Sequence, residues 1–324
     1  NGGESGDLTW NIFDHTQNRI ELIEFVRGAE ISSKDGGLTA LDVIARSSLN
    51  DFNYAFGVQI NNETLDIEYN DLARAEFDSD GKITKTADLF FLGGGQNVNQ
   101  SRNKYGAFFE GEQELFDSLG LRLAARYEKV DNFSSLDPKI SLNYKPIDQV
   151  TLRISRGTSF TMPSMAQMYS SDINLGSVRD LEGSIFVRQA RIGNPDLKPA
   201  TSTNSNFGLI YNSDIIRFSI DYWKIDYRDR IEAESSQAIL DLDPQGPSIT
   251  RNENGELIAV TTTYFNEEST LISGIDLSYE HIFDLSDNGI LEFALKGTSF
   301  FEFLTPDQSA EGSENILVNR IGKF

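Results

Sequence analysis

Apolar and polar side chains alternate with a period of two through much of the chain, the spacing that sends successive side chains to opposite faces of a sheet. Between Pro138 and Lys145, Ile140, Leu142 and Tyr144 share one face, while Lys139, Ser141, Asn143 and Lys145 share the other. The next run repeats the pattern, with Val150, Leu152 and Ile154 set against Thr151, Arg153 and Ser155. Only Pro146-Ile147-Asp148-Gln149 separates the two, which predicts a hairpin. Upstream, Leu119, Leu121, Leu123, Ala125 and Tyr127 oppose Arg122, Ala124, Arg126 and Glu128 after a tight Phe116-Asp117-Ser118 turn. Downstream, Ile216, Phe218, Ile220 and Tyr222 form an apolar face whose parity then flips to Trp223, Ile225 and Tyr227, as a β-bulge causes. Two further strands run through Ile275, Leu277 and Tyr279 and through Leu291, Phe293 and Leu295.

The connections alternate in length. Short turns fall near 116–118, 146–149, 212–214 and 284–289, and longer irregular stretches near 71–103, 161–200, 229–267 and 304–318. Short turns at one end and long loops at the other is the arrangement of an outer-membrane barrel, whereas a soluble sandwich turns every 8–12 residues without it. Tyr54, Tyr105, Tyr127, Tyr144, Phe160, Tyr211, Tyr227, Phe283 and Phe301 lie toward strand ends, as interfacial girdles do, although aromatics also favour strands generally. Residues 1–36 are the least legible part, since Ile20, Leu22, Ile23, Phe25 and Val26 fit neither period.

Composition narrows the reading further. The 324 residues carry Lys+Arg 28 against Asp+Glu 50, a formal net charge of −22, so there is no footprint for nucleic acid or anionic lipid. Acidic residues such as Asp241, Asp243, Glu253 and Glu256 fall in loop-like stretches and read as solvated surface. No apolar run approaches the roughly 18 residues of a spanning helix, and a mean hydropathy of −0.35 suits strands in which only alternate residues meet lipid. The chain has no cysteine, which removes disulfides, thiolate nucleophiles and cysteine zinc sites together. Its opening NGGESGDLTW has none of the regions of a signal peptide, so either the protein is cytoplasmic or its true N-terminus lies upstream.

Enzyme chemistry finds little support. His15 and His281 are the only histidines and lie far apart, against a histidine triad or zinc site. Gly93-Gly94-Gly95 lacks the spacing of a phosphate cradle and reads as a flexible loop. Asp78-Ser79-Asp80-Gly81 has the start of a calcium loop without its later carboxylates and reads as a turn.

Two segments are more specific. Arg156 to Tyr169 reads RGTSFTMPSMAQMY, and Gly193 to Tyr211 reads GNPDLKPATSTNSNFGLIY. They resemble barrel segments of TonB-dependent receptors, in which a strand ends in G-T-S-F-x-x-P-S and a loop returns through N-P-x-L-K-P-E-T. Ala200 departs from that pattern, standing where the family carries an acidic residue. The YGAFFEGEQELF stretch from Tyr105, YWKIDYRDRI from Tyr222 and ISGIDLSYEHIF from Ile272 also resemble the family, extending the likeness over about residues 53–303. At the C-terminus Gly322 and Arg320 interrupt the alternation before Phe324, which reads as a truncation ending on Phe.

The resemblance implies an all-β fold: an antiparallel transmembrane β-barrel fragment, an open curved sheet with long extracellular loops. It also implies an outer-membrane location. A complete member has an N-terminal plug and a barrel of 22 strands, so residues 1–324 are expected to form one partial barrel domain without the plug or final strands. The implied function is active import of a scarce ligand of the siderophore, cobalamin or oligosaccharide class, without enzyme activity. Implied partners are outer-membrane lipid, that ligand, and the TonB complex through the N-terminal region. No catalytic, metal or cofactor-binding residue and no cofactor is expected, and no ligand-contacting residue is singled out. A passive porin, or a secreted β-rich adhesion or carbohydrate-binding module, stands as the alternative.

Overall fold

The computed structural model describes residues 11, 13–78, 83–86, 93–180, 183–307, 310–312 and 316–323. A short helix, α1 (Ile20–Val26), precedes the first hairpin, β1 (Ser32–Leu49) and β2 (Phe52–Tyr69). A two-stranded ribbon, β3 (Glu76–Phe77) and β4 (Ile83–Lys85), and the two-residue β5 (Gly94–Gly95) occupy the long connection that follows. A meander comes next: β6 (Val98–Phe116), β7 (Leu119–Val130), β8 (Phe133–Ile147) and β9 (Val150–Thr161). Helix α2 (Met165–Tyr169) and the hairpin β10 (Asp172–Asp180) and β11 (Gly183–Ile192) lead to β12 (Ala200–Asn212) and β13 (Ile216–Ala233). Helix α3 (Ser236–Leu242), β14 (Ile249–Arg251), β15 (Leu257–Asp284), β16 (Ile290–Pro306) and β17 (Leu317–Asn319) complete the chain.

Ten long strands pair antiparallel in the order β1-β2-β6-β7-β8-β9-β12-β13-β15-β16. The sheet does not close: β1 pairs only with β2, and beyond β16 there is only three-residue pairing with β17. The expected open, curved barrel fragment is therefore the observed fold. Turns at one end are short throughout, at 50–51, 117–118, 148–149, 213–215 and 285–289. Asn50 holds φ 52° there, a left-handed conformation that a short polar side chain tolerates. Connections at the other end are long except for Asp131-Asn132, a second tight hairpin built on a left-handed Asp131 (φ 50°).

Register makes one face apolar across the whole sheet. Val43, Val58, Ala107, Tyr127 and Leu136 are successive cross-strand partners, as are Leu121, Leu142, Ile154, Phe207, Tyr222 and Ile275. Leu136 (64 % exposed), Ile154 (52 %) and Phe207 (53 %) have no protein cover on this face. On β7 it extends from Leu119 to Tyr127, which at ~3.4 Å per residue and a ~40° tilt spans roughly 20 Å, close to the apolar band of an outer-membrane barrel. Aromatics gather near its two margins, with Tyr54, Tyr144, Tyr211 and Phe283 toward the short turns and Tyr105 and Tyr127 toward the loops. The opposite face is polar and ion-paired: Arg122 bonds Glu112 at 2.8 Å, and Arg153 bonds Asp221 through two contacts at 2.8 and 2.5 Å. This face is hollow, with a concavity of about 700 Å³ lined by Ser141, Asn143, Arg153, Asn204, Asn206 and Trp223.

Two expectations are corrected. The parity flip at Tyr222-Trp223 is not a bulge, since β13 keeps continuous register there with β12 and β15. The bulge lies on β16, where Gly274 faces Phe300 and Ser273 faces Glu302, leaving Phe301 as the extra residue. Trp223 stays on the polar face because Phe300 packs edge-on against it at 5.5 Å and Gly274 has no side chain to obstruct it. The stretches near 71–103, 161–200 and 229–267 are not irregular: they hold β3–β5, β10–β11 and β14, and β13 and β15 run on into them. No helix among the described residues is long and apolar enough to cross a membrane.

Candidate functional site

Burial is concentrated at the loop end, where the long connections fold on one another. Strand β11 pairs parallel with β15 (Arg188 to Ile192 beside Ala259 to Thr263), β10 pairs with β11, and β5 pairs with β10. One face of the β10–β11 hairpin supplies Val178 and Val187 to a core with Leu240 of α3, Leu257 and Val260. The other supplies Ile173 and Ala190, which pack on Ala75 with Phe77 and Ile83 beside them. Segments 161–200 and 229–267 thus lie at the same end of the sheet, as expected, and share a core. Nothing in the spacing of these apolar residues announces this, because their partners lie far apart in sequence.

The two motifs form the base of this crown. Ser164 caps α2 by accepting from the Gln167 amide at 3.1 Å, and the Gln167 side chain accepts from the Ser164 amide at 2.9 Å, a complete capping box. Arg102, 7 % exposed, donates to the Pro163 carbonyl at 2.7 Å and to Glu63 at 2.7 Å, and Lys104 also pairs with Glu63. The second motif closes over the first. The Asn194 amide donates to the Gln167 carbonyl at 2.9 Å, and its side chain donates to the Tyr264 carbonyl at 2.8 Å. Leu197 is 1 % exposed, and Asn266 exchanges hydrogen bonds of 2.8 Å with the Lys198 amide and carbonyl. Ala200 begins β12 opposite Thr161, so an acidic side chain is dispensable for the pairing.

Two buried carboxylates fasten the far side. Glu267 accepts from Arg230 at 2.9 and 2.6 Å and from Thr270 at 3.0 Å. Glu234 accepts from the Thr263 amide at 2.8 Å and the Glu311 amide at 3.0 Å, tying the segment at 310–312 to β15. Burial pushes the Glu234 carboxyl above the ordinary carboxylate range against the pull of these two amides, and the nearby Glu311 charge adds to the rise.

The weaker sequence signals are placed as follows. Gly94 and Gly95 are β-paired to Asp172 and Ile173, contrary to the expected flexible loop; a Cβ on Gly95 would lie 2.6 Å from the Tyr69 hydroxyl. His281 sits on the apolar face, stacked on Phe283 at 3.9 Å and bonded to Tyr279 at 2.8 Å. The side chain of His15, most of the Asp78–Gly81 turn and Phe324 lie outside the described residues. Among the described residues no group of His, Asp or Glu is arranged to hold a metal ion.

Comparison with known proteins matches this architecture. A probable TonB-dependent siderophore receptor, PirA of Acinetobacter baumannii, is 27 % identical over 128 residues, 39 % of this chain and 17 % of the relative. The solved siderophore receptor PirA from Acinetobacter baumannii superposes with a TM-score of 0.59 at 18 % identity, over 89 % of this chain and 38 % of that one. The ferric enterobactin receptor mutant of Pseudomonas aeruginosa, crystallised with enterobactin, gives 0.61 at 17 % identity, over 84 % and 36 %. At these identities the structures establish a shared fold, and the chain spans little more than a third of their length. The family model for the TonB dependent receptor-like β-barrel matches residues 6–316, and the chain belongs to that family of outer-membrane receptors.

Proposed function

We propose that the protein containing this chain is a TonB-dependent importer of a ferric siderophore, captured by the loop crown. The family consists of receptors and transporters, not enzymes. The observation that carries the reading is the crown itself: long connections packed around common cores at the loop end, which in this architecture faces the exterior. The names of the similar receptors supply the ligand class. The plug and the segment that meets TonB belong to parts of the protein outside this sequence, as do the remaining barrel strands. Binding of a panel of ferric catecholate, hydroxamate and carboxylate siderophores to the full-length receptor, with TonB-dependent growth on the one bound, tests the proposal. Saturable binding lost on deleting residues 172–192 supports it. Growth independent of TonB, or no binding across the panel, overturns it.

A further inference from the structure

The face of the β10–β11 hairpin that packs on Ala75 at its base is uncovered toward its tip. Register sets Leu175 beside Arg188, Ser177 beside Phe186 and Arg179 beside Ser184, and alternation puts all six on that one face. The Ser177 and Ser184 hydroxyls bond to each other there at 2.8 Å. Phe186 is 74 % exposed and Leu175 38 %, so an aromatic ring and its aliphatic neighbour stand open at the loop end. Arg179 is exposed and Arg188 half-buried, and among the described residues neither guanidinium has an ion pair or a hydrogen bond. No carboxylate among the described residues of the hairpin shares this face. Asp172 and Asp180 alternate onto the other, where Asp172 accepts from Asn174 at 2.7 Å and Asp180 from Arg251 at 2.8 Å.

The frame beneath is held firmly. Gln237 clasps the Arg179 main chain, accepting from its amide at 2.8 Å and donating to its carbonyl at 3.0 Å. A hollow of about 760 Å³ opens beside it, lined by Ser177, Arg179, Ser184, Gln237 and Asp241, within the size range of small-ligand sites. The acid in that hollow, Asp241, accepts from Gln237 at 2.8 Å. Phe186 stands midway between the Arg188 row and the Arg179 row, which lie about 14 Å apart at ~3.4 Å per residue, so the two long side chains reach toward it from either side. Cations without partners call for anionic oxygens, and an open ring calls for a second ring against it. Among ferric siderophores only the catecholate complexes offer both, with negative charge on iron-bound phenolate oxygens and aryl rings around the metal. Hydroxamate complexes lack that charge and the rings, and carboxylate complexes lack the rings.

We propose that this hairpin face holds the cargo by an aryl ring against Phe186 and by anionic oxygens on Arg179 and Arg188, which makes the cargo a ferric catecholate. The assignment rests on the import reading and narrows its ligand class. The test is equilibrium binding to the full-length receptor of ferric enterobactin, a catecholate, against ferrichrome, a hydroxamate, and ferric citrate, a carboxylate. Wild type should prefer ferric enterobactin. Phe186→Leu should weaken that binding about fivefold, while Phe186→Tyr, which keeps the ring, should bind as wild type. Arg179→Gln and Arg188→Gln should each weaken it up to about fivefold, and the double variant should lose most of the salt dependence of the affinity. Arg217→Gln, at the turn end, removes the same charge and should leave binding unchanged. Heat-modifiable migration verifies that each variant is folded. Preference for ferrichrome or ferric citrate, or wild-type binding by Phe186→Leu or by the double arginine variant, would overturn the assignment and leave the import reading standing. Failure of all these probes and of the wider panel would overturn the import reading and the assignment with it.

Discussion

Replacing Leu142 by Arg tests which face of the sheet meets lipid. Leu142 stands between Leu121 and Ile154 on the apolar face, two residues toward the turn end from Ile140, the centre of the run from Leu136 to Tyr144. At ~3.4 Å per residue and a ~40° tilt that displacement is about 5 Å, so Leu142 lies inside the band but off its midplane. Arginine costs about 2–4 kcal/mol at the midplane and ~1 or less at the interface, which places Leu142→Arg near 2 kcal/mol. Ser141 points the other way, between Arg122 and Ser155. Arg122 is already engaged by Glu112, so Ser141→Arg meets a partly neutralised neighbour and should cost well under about 1 kcal/mol. Leu152→Arg and Ser155→Arg form a matched pair on β9. Reversible unfolding of the full-length receptor in lipid vesicles, with both members of each pair under one condition, measures the difference. Equal penalties, or larger ones for the serines, would mean that the apolar face packs on protein, and a soluble sandwich would have to replace the barrel.

Arg102→Ala should destabilise the loop end by about 2–3 kcal/mol, because it strands the buried Pro163 carbonyl and removes one partner of Glu63; faster hydrogen exchange in α2 reads this out, and Arg102→Lys should recover part of it. Gly95→Ala should cost about 1–3 kcal/mol and open the β5–β10 pairing to protease, since the new methyl group would press on Tyr69 and on the backbone of Ser171; unchanged cleavage would argue that the pairing is not tight. The folded protein holds the Glu234 proton more tightly than the unfolded chain, so this group's stabilisation is complete below the ordinary value near 4.5 and is lost as pH rises through the raised folded value. Protection of the Thr263 and Glu311 amides, corrected for intrinsic exchange, should therefore fall over that window, and Glu234→Gln should abolish the dependence. Cysteines at Ser177 and Ser235, both exposed, should react with an impermeant thiol reagent on intact cells, whereas Ser171 at 2 % exposure should not; protection at both exposed sites would place the crown on the wrong side.

The barrel strands were legible because their physics is local. An apolar face such as Leu119 to Tyr127 or Ile140 to Tyr144 shows as alternation within one strand, and the short turns between strands are punctuated by Asp, Ser and Asn. The hairpins at 50–51 and 131–132 carry the same signals in Asn50 and Asp131, whose left-handed backbones need short polar side chains. The Trp223 parity misled because alternation reports side-chain character, and on a polar face an aromatic can be satisfied by a distant partner, here Phe300. The crown was illegible for the same reason. Val178, Leu240 and Val260 come from three separated segments and belong to one core only after the strands have set their positions. The motifs marked the loop bases correctly, since their capping box and Asn turns are local devices, but they carry no information about the ligand.

The parallel pairing of β11 with β15 sets Ala190 beside Thr261 and lets the Thr262 hydroxyl donate to the Ala190 carbonyl, residues 72 apart in sequence. The pairings made through the short turns join neighbours a few residues apart, so those hairpins can zip as they emerge, while this one must wait for β12, β13 and α3 to be in place. Contacts of such separation form late because the loop-closure entropy comes first. A receptor halted during membrane assembly would then present a spanning wall with an unfinished exterior, sealed toward lipid yet blind to its ligand. Appearance of ligand binding in a refolding time course is accordingly expected to lag behind strand formation and to report completion rather than insertion.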